Sequence, residues 1–152
     1  MTEINDGVIN REIFIDAPRE TVFGFLVDPE KMVQWMGVDA IFENRPGGTY
    51  RVNVSGADVA LGEVIEVVPH ERVVFTWGWE GGDILPPGGS RIEITPADSG
   101  AGTKLRLVHS DIPESLVDRH GDGWDHSIPR LAIAGAGGDP GPDPWVKENA
   151  AQ

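Results

Sequence analysis

The sequence contains no cysteine among its 152 residues. That excludes a disulfide framework, a thiol nucleophile and any cysteine-ligated zinc or iron–sulfur centre, and it fits a reducing compartment. Basic residues are scarce: 12 Lys and Arg stand against 25 Asp and Glu, a net charge of −13. Nucleic-acid backbones and anionic lipid surfaces are held by Lys and Arg that displace counterions, so neither is an expected partner. The acidity reads as a solubility device. No apolar run approaches the ~18–20 residues of a membrane span. The acidic start, MTEINDGVINRE, has neither the basic nor the apolar part of a signal peptide. The expected location is therefore cytoplasmic. Catalytic signatures are missing as well: there is no HExxH, no Gly-x-Ser-x-Gly, no P-loop and no GxGxxG turn.

What is present is enough chain for one core and a regular succession of strand patterns. Residues 9–16 (INREIFID) place Ile9, Ile13 and Ile15 on one face and Phe14 on the other. Pro18 then opens a helix over 19–27, with Val22, Phe23, Leu26 and Val27 at helical spacing. Asp28-Pro29 ends it and starts a second short helix, running to about Met36. From there the pattern changes. Strands are predicted at 38–44, 49–54, 59–68, 72–79, 90–95 and 103–109, each bounded by Gly, Pro, Asn or Asp. Short connections favour antiparallel neighbours, which makes a curved seven-stranded antiparallel sheet the expected α+β architecture. Residues 80–89 form the longest loop, rich in Gly and Pro and expected to be mobile. The organisation expected is an N-terminal extension at 1–8, one domain at 9–136, and a Gly/Pro-rich tail at 137–152 in which Trp145 either folds back or stays exposed.

Residues 113–136 carry the last predicted helix, around which the sheet bends. At about 100° per residue, Val117, His120, Trp124, Ile128 and Leu131 share one side. Asp122, Asp125, His126 and Arg130 fall largely on the other and read as a solvated face. The acids and histidines of this helix suggest a metal site only superficially, because His120 points inward while Asp122 and His126 point outward; no metal and no cofactor is expected. Gly121, Gly123 and Pro129 weaken the helix, and Pro129 removes the donor for the carbonyl of Asp125, so a bend is expected between 125 and 129.

The strings IFIDAPRETVFGFLVDPEKMVQWM, GGTYRV, GEVIEVVPHERVVFTWGW, TKLRLVHSDIP and HGDGWDHSIPRLA, in that order and spacing, resemble the activator-of-heat-shock-protein-90-ATPase homologue-like branch of the START-like (SRPBCC) superfamily. The resemblance spans residues 9–136. It implies a helix-grip fold, in which the sheet grips the C-terminal helix around a hydrophobic cavity, and relatives that bind lipids, sterols or polyketides or that act as cyclases.

Alternation then selects the interior side chains. Phe75, Trp77 and Trp79 share a strand face, and His109 shares one with Leu105 and Leu107. Together with Trp35, Tyr50, His120, Trp124, Ile128 and Leu131 they form the candidate ligand-binding set; plain core packing is the alternative for the aromatics, and satisfaction by backbone at the sheet's edge the alternative for His109. Arg51 alternates opposite to Tyr50 and is expected in solvent. The favoured function is binding of a small apolar or amphipathic molecule. An enzyme using His109 or His120 as acid–base group is the alternative. A chaperone-partner role ranks last, since the eight residues before the first strand cannot supply a separate chaperone-binding domain. Ile133, opposite the buried stripe, offers a contact for a homodimer.

Overall fold

A computed structural model describes residues 7–146. The strands are β1 (Gly7–Ile15), β2 (Asp39–Phe42), β3 (Thr49–Asn53), β4 (Val59–Val68), β5 (Arg72–Trp79), β6 (Ser90–Ser99) and β7 (Gly102–Ile112). They form one seven-stranded antiparallel sheet in the order β1-β7-β6-β5-β4-β3-β2. Strands β2 to β7 are a meander of consecutive neighbours, and β1 closes the far edge on β7. Helices α1 (Arg19–Val27) and α2 (Pro29–Met32) sit between β1 and β2, and a 3-10 turn (Glu114–Leu116) leads into the long α3 (Val117–Gly135). The curved sheet with a long helix against its inner face is the helix-grip fold. The extension expected at 1–8 lies mostly outside the described residues, as do the last six residues of the tail.

The inner face of the sheet is built from period-2 alternation. Ile9, His109, Ile92 and Phe75 stand side by side across four strands, and the next row carries Arg11, Leu107, Ile94 and Val73. All of these except Arg11 are buried. Strand β6 runs on to Ser99, past the end expected at Thr95, because Pro96 lies beyond the last β5 partner, which is Val73 opposite Ile94. With only β7 paired to it there, the missing N–H of proline interrupts no ladder. Helix α2 ends at Met32, earlier than expected; its cap Asp28 accepts from the N–H of Glu30 at 3.0 Å, and the chain then turns to Met36.

Helix α3 packs along β1. Gly121 faces Arg11 and Ile9, and Gly135 faces Ile15. The helix is unbroken through Pro129, which occupies its exposed side. Asp125, expected in open solvent, instead binds Arg11 through Nε at 2.6 Å and Nη2 at 3.2 Å, tying the helix to the edge strand. Both side chains remain part-exposed, at 34% and 59%. Solvent screening therefore limits the pair, and Asp125→Asn is expected to lower stability by less than about 1 kcal/mol in urea unfolding. Arg51 lies on the outer face as expected, 3.5 Å from Asp39 of the neighbouring strand.

The loop at 80–89 is anchored and not free. Leu85 is 2% exposed, its carbonyl accepts from the N–H of Trp79 at 3.0 Å, and Gly88 donates to Leu61 at 3.2 Å. The loop doubles back over the end of β5, and a Cβ at Gly78 would overlap the Pro86 carbonyl. A glycine between Trp77 and Trp79 is what lets the two segments meet.

Candidate functional site

Between the N-terminal half of α3, the ends of β3 to β5 and the 80–89 loop lies a cavity of about 780 Å³. Helix α3 packs against β1, and the cavity lies on its other side. Trp77, Trp79, His120 and Trp124 line it. The other six candidates from the sequence lie outside its lining. Tyr50 and Phe75 stack on each other at 4.0 Å in the core, and burial pushes the Tyr50 phenol's pKa up. Trp35 donates its indole N–H to the carbonyl of Phe25 at 2.9 Å. Ile128 and Leu131 belong to the buried apolar core, and His109 is wholly buried beneath the cavity's tryptophans.

His109 is not at the sheet's edge, since β7 lies between β1 and β6, and its partners are side chains and not backbone. Trp124 Nε1 donates to His109 Nδ1 at 3.0 Å. An indole nitrogen can only donate, so Nδ1 is bare and the proton of the neutral ring sits on Nε2. That Nε2–H donates to Ser90 Oγ at 2.8 Å, and the Ser90 hydroxyl passes its own proton to the carbonyl of Trp77 at 2.6 Å. His120 repeats the device. Trp79 Nε1 donates to its Nε2 at 3.0 Å, so its Nδ1–H donates to the Leu116 carbonyl at 2.9 Å. The two imidazoles meet edge to face, 5.4 Å apart.

Burial lowers the pKa of both rings. His109 is pushed down to about 3 by desolvation, with the neighbouring His120 adding to it. His120 is lowered by desolvation, partly opposed by its bond to Leu116. A proton on either ring would also turn an acceptor against a tryptophan N–H. Both rings are therefore neutral, and each fixes the angle of a tryptophan with its two nitrogens engaged. Of the cavity's three inner tryptophans only Trp77 has an indole N–H without a partner among the described residues.

Several lining residues escaped the sequence reading. At the cap and along α3 they are Leu116, Arg119, Gly123 and Ser127, spaced at three or four residues like any helical face. The stripe was visible in principle, but it contains a glycine and an arginine and so carries little hydrophobic signal. Met36 and Leu85 come from segments read as helix end and loop. His126, placed on the solvated face by the helical wheel, is covered by the tail: its Nε2 bonds Asp143 at 2.7 Å, and Trp145 stacks on its ring at 4.0 Å. Arg130 is covered too, donating to the carbonyls of Pro140 and Gly141. Asp122 is the one member of that face that stands free in solvent.

Comparison with known proteins adds the kinship. An AHSA1-like protein from Rhizobium etli, solved by NMR, is 44% identical over 93% of this chain and 89% of its own, with a TM-score of 0.74. Protein CV1439 from Chromobacterium violaceum, at 24% identity, covers 85% of this chain and 96% of its own with a TM-score of 0.74. The Aha1 dimer from Colwellia psychrerythraea, at 19% identity, covers 87% and 98% with a TM-score of 0.75. The last two show the fold alone. No curated protein matches the chain. The family model "Activator of Hsp90 ATPase homolog 1-like protein" matches residues 16–135, which takes in both short helices, six of the seven strands and all of α3. On that match and the Rhizobium relative, this chain belongs to the activator of Hsp90 ATPase homolog 1-like family.

Proposed function

We propose that the protein binds a small, largely apolar or amphipathic molecule between the sheet and α3. The observation that carries the reading is the cavity itself. At about 780 Å³ it falls within the ~300–1,000 Å³ typical of small-molecule sites, and tryptophans form its inner wall. Trp79 and Trp124 are each held in place by a histidine acceptor. A rigid aromatic wall loses little freedom when a ligand settles on it, which favours binding. Binding is preferred to acid–base catalysis because the nitrogens of His109 and His120 are already engaged and their rings are kept neutral.

Nile red, an uncharged planar dye, tests this directly. At about −0.3 kcal/mol per non-hydrogen atom, a dye of about 24 such atoms should bind with a Kd of roughly 10 μM. The expected result is saturable quenching of tryptophan emission with one dye per chain, matched by a rise in dye fluorescence. Non-saturable quenching, or dye uptake only by unfolded protein, would sink the reading.

A further inference from the structure

The cavity has a wall that the sheet and α3 do not supply. After α3 the chain turns at Gly137, whose φ of +94° suits glycine, and residues 139–146 run back beside the helix. One set of polar contacts holds the segment there. Asp143 accepts from His126 Nε2 at 2.7 Å and from the backbone N–H of Trp145 at 2.9 Å, and its second oxygen lies 3.8 Å from Arg130 Nε. Arg130 also donates to the carbonyls of Gly141 at 2.9 Å and Pro140 at 3.3 Å. The Asp143 side chain is only 12% exposed, so this is a built contact and not a passing one between surface charges. Through it Trp145 is laid flat on His126, with 5° between the rings, yet the residue remains 51% exposed. Asp143 and Trp145 both line the cavity.

A large aromatic residue half in solvent, with a ring face stacked on an imidazole, is poorly used if it serves only to cover a helix. The segment has no regular secondary structure and lies outside the apolar core, so its attachment is weaker than that of the domain. We propose that residues 139–146 are a strap forming the outer wall of the ligand site: Trp145 contacts the bound molecule, and the Asp143 contacts with His126 and Arg130 are the latch that must open for it to enter or leave. The proposal rests on the ligand-binding reading above, and it adds that the occupant presents a flat apolar or aromatic face to Trp145.

The test uses the full chain labelled with 5-fluorotryptophan, with Trp145→Phe identifying the Trp145 fluorine signal. Asp143→Ala removes the latch from a segment outside the sheet and helices, so the fold survives. In that variant the Trp145 signal should move to the position of an exposed indole, and Nile red should dissociate about ten-fold faster in stopped-flow mixing. Trp145→Ala should weaken the dye about five-fold. A Trp145 signal unmoved by Asp143→Ala would overturn the latch, whether or not the dye binds. An unmoved dissociation rate, with the signal shifted, would overturn the gating role. If neither wild type nor Asp143→Ala bound the dye, the cavity reading would fall and the ligand role of Trp145 with it, while the fluorine signal would still report the latch separately.

Discussion

Replacing Gly123 with leucine is expected to weaken Nile red binding by about a hundredfold, ~2.7 kcal/mol, while leaving the fold as stable as before or more so. Gly123 lines the cavity from the middle of α3, and a Cβ built on it meets nothing within 4 Å. Its backbone is ordinary right-handed helix, so the glycine is not there to relieve strain. A mid-helix glycine costs about 0.5–1 kcal/mol relative to alanine. Gly123→Ala should therefore raise stability by roughly that amount and occupy a small part of the void. Leucine extends further into the same space and competes with the ligand for it. Gly121 provides the control. It is buried against β1, where a Cβ would stand 3.2 Å from Arg11 Nη2 and 4.0 Å from Ile9 Cδ1. Leucine there should cost stability by overpacking, typically ~1–3 kcal/mol, without entering the cavity. Dye titrations and urea unfolding of the three variants give the answer. Unimpaired binding by Gly123→Leu would mean that the dye sits elsewhere.

That contrast between two glycines two residues apart shows where sequence reading stops. Periodicity exposed the buried side of α3, because Trp124, Ile128 and Leu131 recur at helical spacing, and it exposed the inner faces of β5 and β7 through alternation. Short turns also made β2 to β7 antiparallel neighbours in sequence, but nothing local to β1 announced its pairing with β7. Periodicity reports whether a side chain leaves water, and a packed core and an empty pocket look the same to it. Ile128 and Leu131 are buried among side chains; Gly123 and Ser127 face a void. Hydrophobicity favoured the first pair, and the cavity is lined by the second. Contacts between distant segments were equally illegible. His126 and Arg130 read as solvated because the tail that covers them follows a Gly/Pro-rich stretch with no pattern of its own, and Leu85 lay hidden in a loop whose fold depends on Gly78 of the preceding strand. Arg11 alternates with isoleucines on an interior face, a local inconsistency that only its partner Asp125 explains.

The largest effect on stability is expected from acid, and it should pass through His109. Its pKa falls from 6.5 in the open chain to about 3 in the fold, chiefly because burial disfavours the charged ring. A lowered folded-state value means that the unfolded chain takes up the proton first. The stability contributed by keeping this ring neutral is thus complete above about pH 6.5 and is lost progressively as the pH falls toward 3. At ~1.4 kcal/mol per unit the whole loss is on the order of 4–5 kcal/mol, and about 2–3 kcal/mol of it is gone by pH 4.5. Carboxylates titrate in the same range, so the histidine is isolated with His109→Asn, whose amide oxygen can occupy the place of Nδ1 and accept from Trp124. At pH 7.5 that variant should be less stable by about 2–3 kcal/mol, from lost ring contacts and the lost bond to Ser90. Since asparagine does not titrate, the difference should shrink to near zero by pH 4.5 in urea unfolding. Parallel curves for the two proteins across that interval would show that His109 is not held neutral by the fold. Converging curves would tie the tryptophan wall to protonation, because the atom that must stay bare, His109 Nδ1, is the one that holds Trp124 against the cavity.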